Sequence, residues 1–90
     1  MGTALIKIKI MPESPDTNLE EVEKLALKII SEEKGEKTTV ENEPIAFGIN
    51  SLILAFSRDE NLDSDEMLEK LQNIENVSSA EIIDFRRAFG

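Results

Sequence analysis

Apolar positions recur every second residue at the start of the chain. In TALIKIKI, residues 3–10, Ala4, Ile6, Ile8 and Ile10 share one face and Leu5, Lys7 and Lys9 the other. That period predicts a half-buried strand. MPESPD ends it, because two prolines lack backbone donors and bias their predecessors to extended conformations. Over residues 19–33 the period changes. Leu19, Val22, Leu25, Ala26, Ile29 and Ile30 recur at spacings of three and four, as on one face of a helix. Asn18 is placed to cap it, with Glu21 as a capping-box partner. Glu20, Glu21 and Glu23 suit the positive end of its dipole, and Gly35 is a natural stop.

The second half repeats the order. KTTVEN, residues 37–42, is short, β-branched and polar, which suits an edge strand. Residues 47–57 supply Ile49, Leu52, Ile53, Leu54, Ala55 and Phe56, a nearly continuous apolar run that fits a central strand. SRDENLDSD reads as a solvated turn. Met67, Leu68, Leu71 and Ile74 give residues 64–75 an apolar stripe, capped by Asp63 or Ser64. VSSAEIIDF, residues 77–85, reads as a last strand through Ala80, Ile82, Ile83 and Phe85.

The order β-α-β-β-α-β predicts an α+β fold. Right-handed crossovers put both helices on one face of a four-stranded antiparallel sheet, a ferredoxin-like sandwich. Strands 1 and 3 are then central and strands 2 and 4 at the edges. Residues 1–90 are expected to form a single domain, since a chain this short has no room for two cores. Ile8, Val22, Ile29, Leu52, Leu54, Leu71 and Ile82 are the expected core.

Composition narrows the chemistry. Cysteine and histidine are absent, which removes disulfides, thiolate and imidazole chemistry and the usual zinc ligands. The four glycines form no phosphate-binding motif. The acid-rich loop RDENLDSDE lacks EF-hand spacing and its glycine, so no metal or cofactor is expected. No run approaches the ~20 apolar residues of a membrane span, and the N-terminus has no signal-peptide core. Nineteen acids against ten bases give a net charge of −9. That disfavours direct nucleic-acid binding and fits a basic protein partner better.

Two stretches stand out. Pro44, Ile45, Ala46, Phe47 and Gly48 lead into the central strand, where Phe47 reads either as a cap on the core or as a contact surface. Gly48 reads as a bulge or turn. DFRRAFG holds the only adjacent bases of the chain, Arg86 and Arg87. They lie beyond the expected last strand, where a tail can project, and read either as a charged edge that blocks aggregation or as a functional pair.

Three segments, IKIMPESPD (8–16), NEPIAFGINSL (42–52) and VSSAEIIDFRR (77–87), resemble the archaeal elongation factor 1-beta family. The likeness runs from about Ala4 to Arg87. It implies a ferredoxin-like fold and guanine-nucleotide exchange on the translation GTPase elongation factor 1-alpha, in the cytoplasm and with no covalent chemistry. It also implies a protein that is monomeric when free. In eukaryotic relatives a basic residue near the C-terminus reaches toward the GTPase's magnesium and phosphate site. The counterpart here is Arg87, with Arg86 beside it, and arginine stands where those relatives have lysine. The resemblance also places Phe47 and Gly48 at the GTPase-facing end. Those relatives carry an N-terminal subunit-docking region, of which no counterpart is expected here.

Other classes share this element order. A small-molecule-sensing regulatory domain would dimerise and bind ligand at helix–sheet loops. An RNA-binding domain would need basic strands with exposed aromatics, and this sheet offers mainly Lys7 and Lys9. An acylphosphate hydrolase would want an arginine in the loop after strand 1, and MPESPD has none.

Overall fold

A computed structural model describes residues 2–88. Its elements are β1 (Thr3–Pro12), α1 (Leu19–Glu32), β2 (Glu36–Ala46), β3 (Ile49–Asp59), α2 (Asp65–Gln72) and β4 (Val77–Ala88). They form one antiparallel sheet in the order β2-β3-β1-β4, so the central and edge strands are those expected. The architecture is the ferredoxin-like α+β sandwich.

The alternation of β1 decides where the core lies. Ala4, Ile6, Ile8 and Ile10 are buried, beside Arg58, Phe56, Leu54 and Leu52 of β3. All of these but Arg58 join Val22, Ala26 and Ile30 of α1 and Met67 and Leu71 of α2 in a single cluster, which places both helices on the same side of the sheet. Of the expected core, Ile29 and Ile82 are only partly buried against that cluster. Leu25 is 47% exposed because it stands about 100° round the helix from Ala26. The other face of the sheet carries no helix. There the Lys9–Glu43 ion pair, 3.4 Å, links β1 to β2 across β3, with Lys9 beside Ile53 and Glu43 beside Ser51.

The ends of α1 are set locally. Asn18 Oδ1 accepts hydrogen bonds from the backbone N–H groups of Glu20 and Glu21, at 3.1 and 3.4 Å. At the other end Lys34 N–H donates to the Ser31 carbonyl and Gly35 N–H to that of Ile30, the paired closure of a Schellman motif. The left-handed residue there is Lys34, at φ 69°, not Gly35. Gly35 serves close packing instead, since a Cβ on it would lie 2.3 Å from Ile30 Cγ2.

All four strands end later than expected, and two of the extensions carry candidate residues. β2 continues through Pro44 to Ala46, because the missing N–H of a proline is tolerated on an edge strand. β4 continues through Arg86 and Arg87, which pair with Leu5 and Ala4. The two arginines therefore belong to the sheet, since β1 begins early enough to pair with them. Of the expected tail, Phe89 and Gly90 lie outside the described residues.

Candidate functional site

Ala46 and Ile49 close the β2–β3 hairpin, leaving Phe47 and Gly48 as a two-residue loop. Both have positive φ, 54° and 78°, as a type I′ turn requires. Glycine meets that demand freely. A phenylalanine in the left-handed region is strained by about 1–2 kcal/mol. Burial does not offset the strain, because Phe47 is 95% exposed. Phe47 is therefore not a cap on the core, and Gly48 is the turn residue. Ile45 is also exposed, where the ladder slips between Pro44 and Ala46. The tip of the hairpin thus presents two apolar side chains to solvent.

Other loops lie at the same end. A Cβ on Gly48 would be 3.8 Å from Pro15 Cβ, so the MPESPD loop borders the turn. Glu13 N–H donates to the Asn76 carbonyl at 2.9 Å, which ties that loop to the start of β4. Pro15 and Asn76 are neighbours that reading the sequence did not assign to the site, although each falls beside or within a quoted segment.

Arg86 and Arg87 sit at the opposite end. Arg87 pairs with Ala4, which pairs with Arg58 of β3, whereas the hairpin turn precedes Ile49. Most of β3 separates them, about 30 Å at ~3.3 Å per residue. The resemblance implies Phe47 and Gly48 at the same end as the arginines; β3 and β4 run parallel, as the expected strand order already requires, so the start of one and the end of the other lie at opposite ends. Cross-strand partners point to the same face, so Arg86, beside Leu5, faces the open side and Arg87, beside Ala4, the helix side. Arg86 Nε is 3.1 Å from Asp84 Oδ2 and Arg87 Nε 3.3 Å from Glu60 Oε2. Both arginines remain largely exposed, so these pairs are weak and readily exchanged.

The family described as the EF-1 guanine nucleotide exchange domain matches residues 5–88. The chain belongs to this family. The chain is similar to elongation factor 1-beta of Pyrococcus horikoshii, 47% identical over 77 residues that cover 83% of this chain and 84% of the relative. Elongation factor 1-beta of Methanobrevibacter smithii is 39% identical over 88 residues, covering 97% and 98%. Among solved structures, the de novo designed protein Foldit4 superposes with a TM-score of 0.64 at 13% identity, covering 98% of each chain; that likeness shows the fold alone. The chain is a guanine-nucleotide exchange domain of translation elongation, and the match to this family does not favour the small-molecule regulatory domain.

The exchange domain also holds a buried charge that the sequence reading passed over inside SRDENLDSD. Arg58 is 5% exposed. Its Nε donates to the Glu33 carbonyl at 2.7 Å, and Nη1 to the Asp63 carbonyl and Ser64 Oγ, each at 3.3 Å. Glu33 Oε1 is 3.4 Å away. The other Glu33 oxygen accepts from Lys70 Nζ at 2.7 Å, and that hydrogen bond raises the Lys70 pKa above its usual 10.5. One guanidinium thus joins the C-terminus of α1 to the N-terminus of α2, and Ser64 spends its hydroxyl on Arg58 rather than on its own helix. The available signal was position: Arg58 continues the inward series Leu52, Leu54, Phe56. Every buried side-chain nitrogen or oxygen among the described residues has a hydrogen-bond partner, and no cluster there could hold a metal.

Proposed function

We propose that residues 1–90 act as one exchange domain that binds elongation factor 1-alpha and promotes release of its GDP. The observation that carries this reading is Phe47, a bulky side chain held in a left-handed turn at 95% exposure. An aromatic ring kept strained and in water is supported by contact with a partner, where burying it returns favourable free energy. Ile45 widens that contact, and Gly48 permits the turn that carries it.

Exchange needs only differential binding. A factor that binds the nucleotide-free GTPase more tightly lowers its affinity for GDP, and GDP weakens the factor by the same ratio. Arg87 is the group assigned to the other end of the contact. Its guanidinium leaves Glu60 and stands near the partner's magnesium, where a positive charge repels the metal and competes for its carboxylate and phosphate ligands. Weakening the metal removes a hold on the β-phosphate. Arg86 contacts the partner from the open face. No covalent bond changes, so the domain is not an enzyme in the chemical sense. It acts as a monomer in the cytoplasm; no helix among the described residues is long and apolar enough to cross a membrane.

The test is release of fluorescent GDP from the cognate elongation factor 1-alpha with and without this chain. Acceleration at substoichiometric amounts supports the reading, and an unchanged rate removes it.

A further inference from the structure

The open face of the sheet carries a groove of about 330 Å³ at the end where β1 begins, within the ~300–1,000 Å³ of ordinary ligand sites. Its floor includes Leu5, 49% exposed, and Ala55. Lys7, Lys37 and Arg86 line it, with Asp84 the one acid among the described lining residues. Three cations against one acid reverse the sign of a chain whose net charge is −9.

Two register shifts create this reversal, one on each edge strand. The β2 ladder slips between Glu36 and Thr39, where Lys37 takes φ 55°, a conformation that lysine rarely adopts. The β4 ladder slips opposite Lys7 and Ile8, leaving Ile83 without a partner. Without that slip the alternation would turn Ile83 and Phe85 to the open face and Asp84 and Arg86 to the helices. β-Bulges re-aim side chains and are over-represented beside functional sites. Here both edge strands carry one at the same end of the sheet, and each brings a cation to the groove.

We propose that this groove receives a carboxylate-bearing segment of the GTPase, with one apolar side chain seated on Leu5. This rests on the exchange-factor reading and names a second surface for the same partner. Charge complementarity favours an acidic segment. A nucleic acid fits less well. The whole chain repels a polyanion, and the floor offers no exposed aromatic ring for base stacking.

The experiment is NMR of the full chain titrated with cognate elongation factor 1-alpha, with binding measured for two double variants. Signals of Leu5, Lys37 and Ala55 are expected to shift or broaden together with that of Gly48. Lys37→Glu with Arg86→Glu is expected to raise Kd about tenfold at low salt, and added salt to narrow the difference. Lys24→Glu with Lys28→Glu, the same charge change on the exposed side of α1 away from the groove, is expected to raise Kd much less. Thermal melts of both double variants establish that each is folded. A footprint at Gly48 that leaves the groove untouched overturns the groove and leaves the exchange reading standing. No footprint anywhere overturns both. Equal groove shifts with a single-stranded oligonucleotide overturn the acidic-segment assignment.

Discussion

Arg86 and Arg87 are adjacent in sequence and face opposite sides of the sheet, Arg86 beside Leu5 on the open side and Arg87 beside Ala4 on the helix side. One surface of a partner cannot meet both in the same way, so their substitutions should have different effects.

Arg87→Ala should slow GDP release by roughly ten- to a hundredfold, the scale of one charge-assisted contact. Its stability should change by no more than about 0.5 kcal/mol, because the side chain is exposed. Raising free Mg²⁺ should slow the wild type more than this variant. Arg86→Ala should weaken association and keep the wild-type response to Mg²⁺. Stopped-flow release rates at two Mg²⁺ concentrations separate the cases; equal rates for all three proteins would remove the arginines from the mechanism.

Phe47→Asn installs the dipeptide that a type I′ turn prefers. Relief of the left-handed strain should stabilise the domain by about 0.5–1 kcal/mol, a rise of about 2–8 °C in Tm for a domain of this size. Exchange should fall at the same time, because the exposed ring is gone. A variant that is more stable and fully active would show that the ring has no role in binding.

Arg58→Ala tests the opposite situation. It leaves the Glu33 and Asp63 carbonyls and Ser64 Oγ without their donor. Removing one partner of a buried ion pair costs about 3–5 kcal/mol. Tm should drop by more than about 10 °C, as read by circular dichroism. A drop as small as that of an ordinary surface substitution would refute its role as the joint between α1 and α2.

Lys70 gives the domain a limit at high pH. Its pKa is raised on folding, chiefly by the hydrogen bond to Glu33. The folded state therefore favours the ammonium form. That stabilisation is fully present below the usual value of 10.5 and is lost as pH rises through the raised folded value. Lys70→Gln should be less stable than the wild type at neutral pH, with the gap closing above about pH 10.5. Urea denaturation of both proteins from pH 8 to 12 measures this; a gap that does not depend on pH would assign the loss to packing.

Period alone was enough to place β1, α1 and the centre of β3, because Ala4, Ile6, Ile8 and Ile10 alternate without interruption and Val22, Ala26 and Ile30 recur every fourth residue. It failed where a residue breaks local convention for a reason elsewhere in the chain. Two residues between strands usually announce a hairpin when they read Asn-Gly, and Phe47 concealed that signal. The slip at Ile83 depends on its pairing with β1, which no window of β4 contains. Arg58 reads as one charge in a polar string until β3 is seen to extend to Asp59. The resemblance named Phe47, Gly48, Arg86 and Arg87 as a set, but the strand order read from the periodicity already makes the third and fourth strands parallel, and the sheet puts the two pairs at two ends.

The pairing of β1 with both β3 and β4 along most of its length fixes the reach of the domain. Between Leu52 and Arg87 these ladders are nearly continuous, so the sheet resists bending that would bring the hairpin tip closer to Arg87. A partner gripped at both places must hold its own two contact points about 30 Å apart, at ~3.3 Å per residue of intervening strand. The sheet then works as a gauge: a partner shape with that spacing satisfies both ends, and a shape that closes or widens it must let go of one.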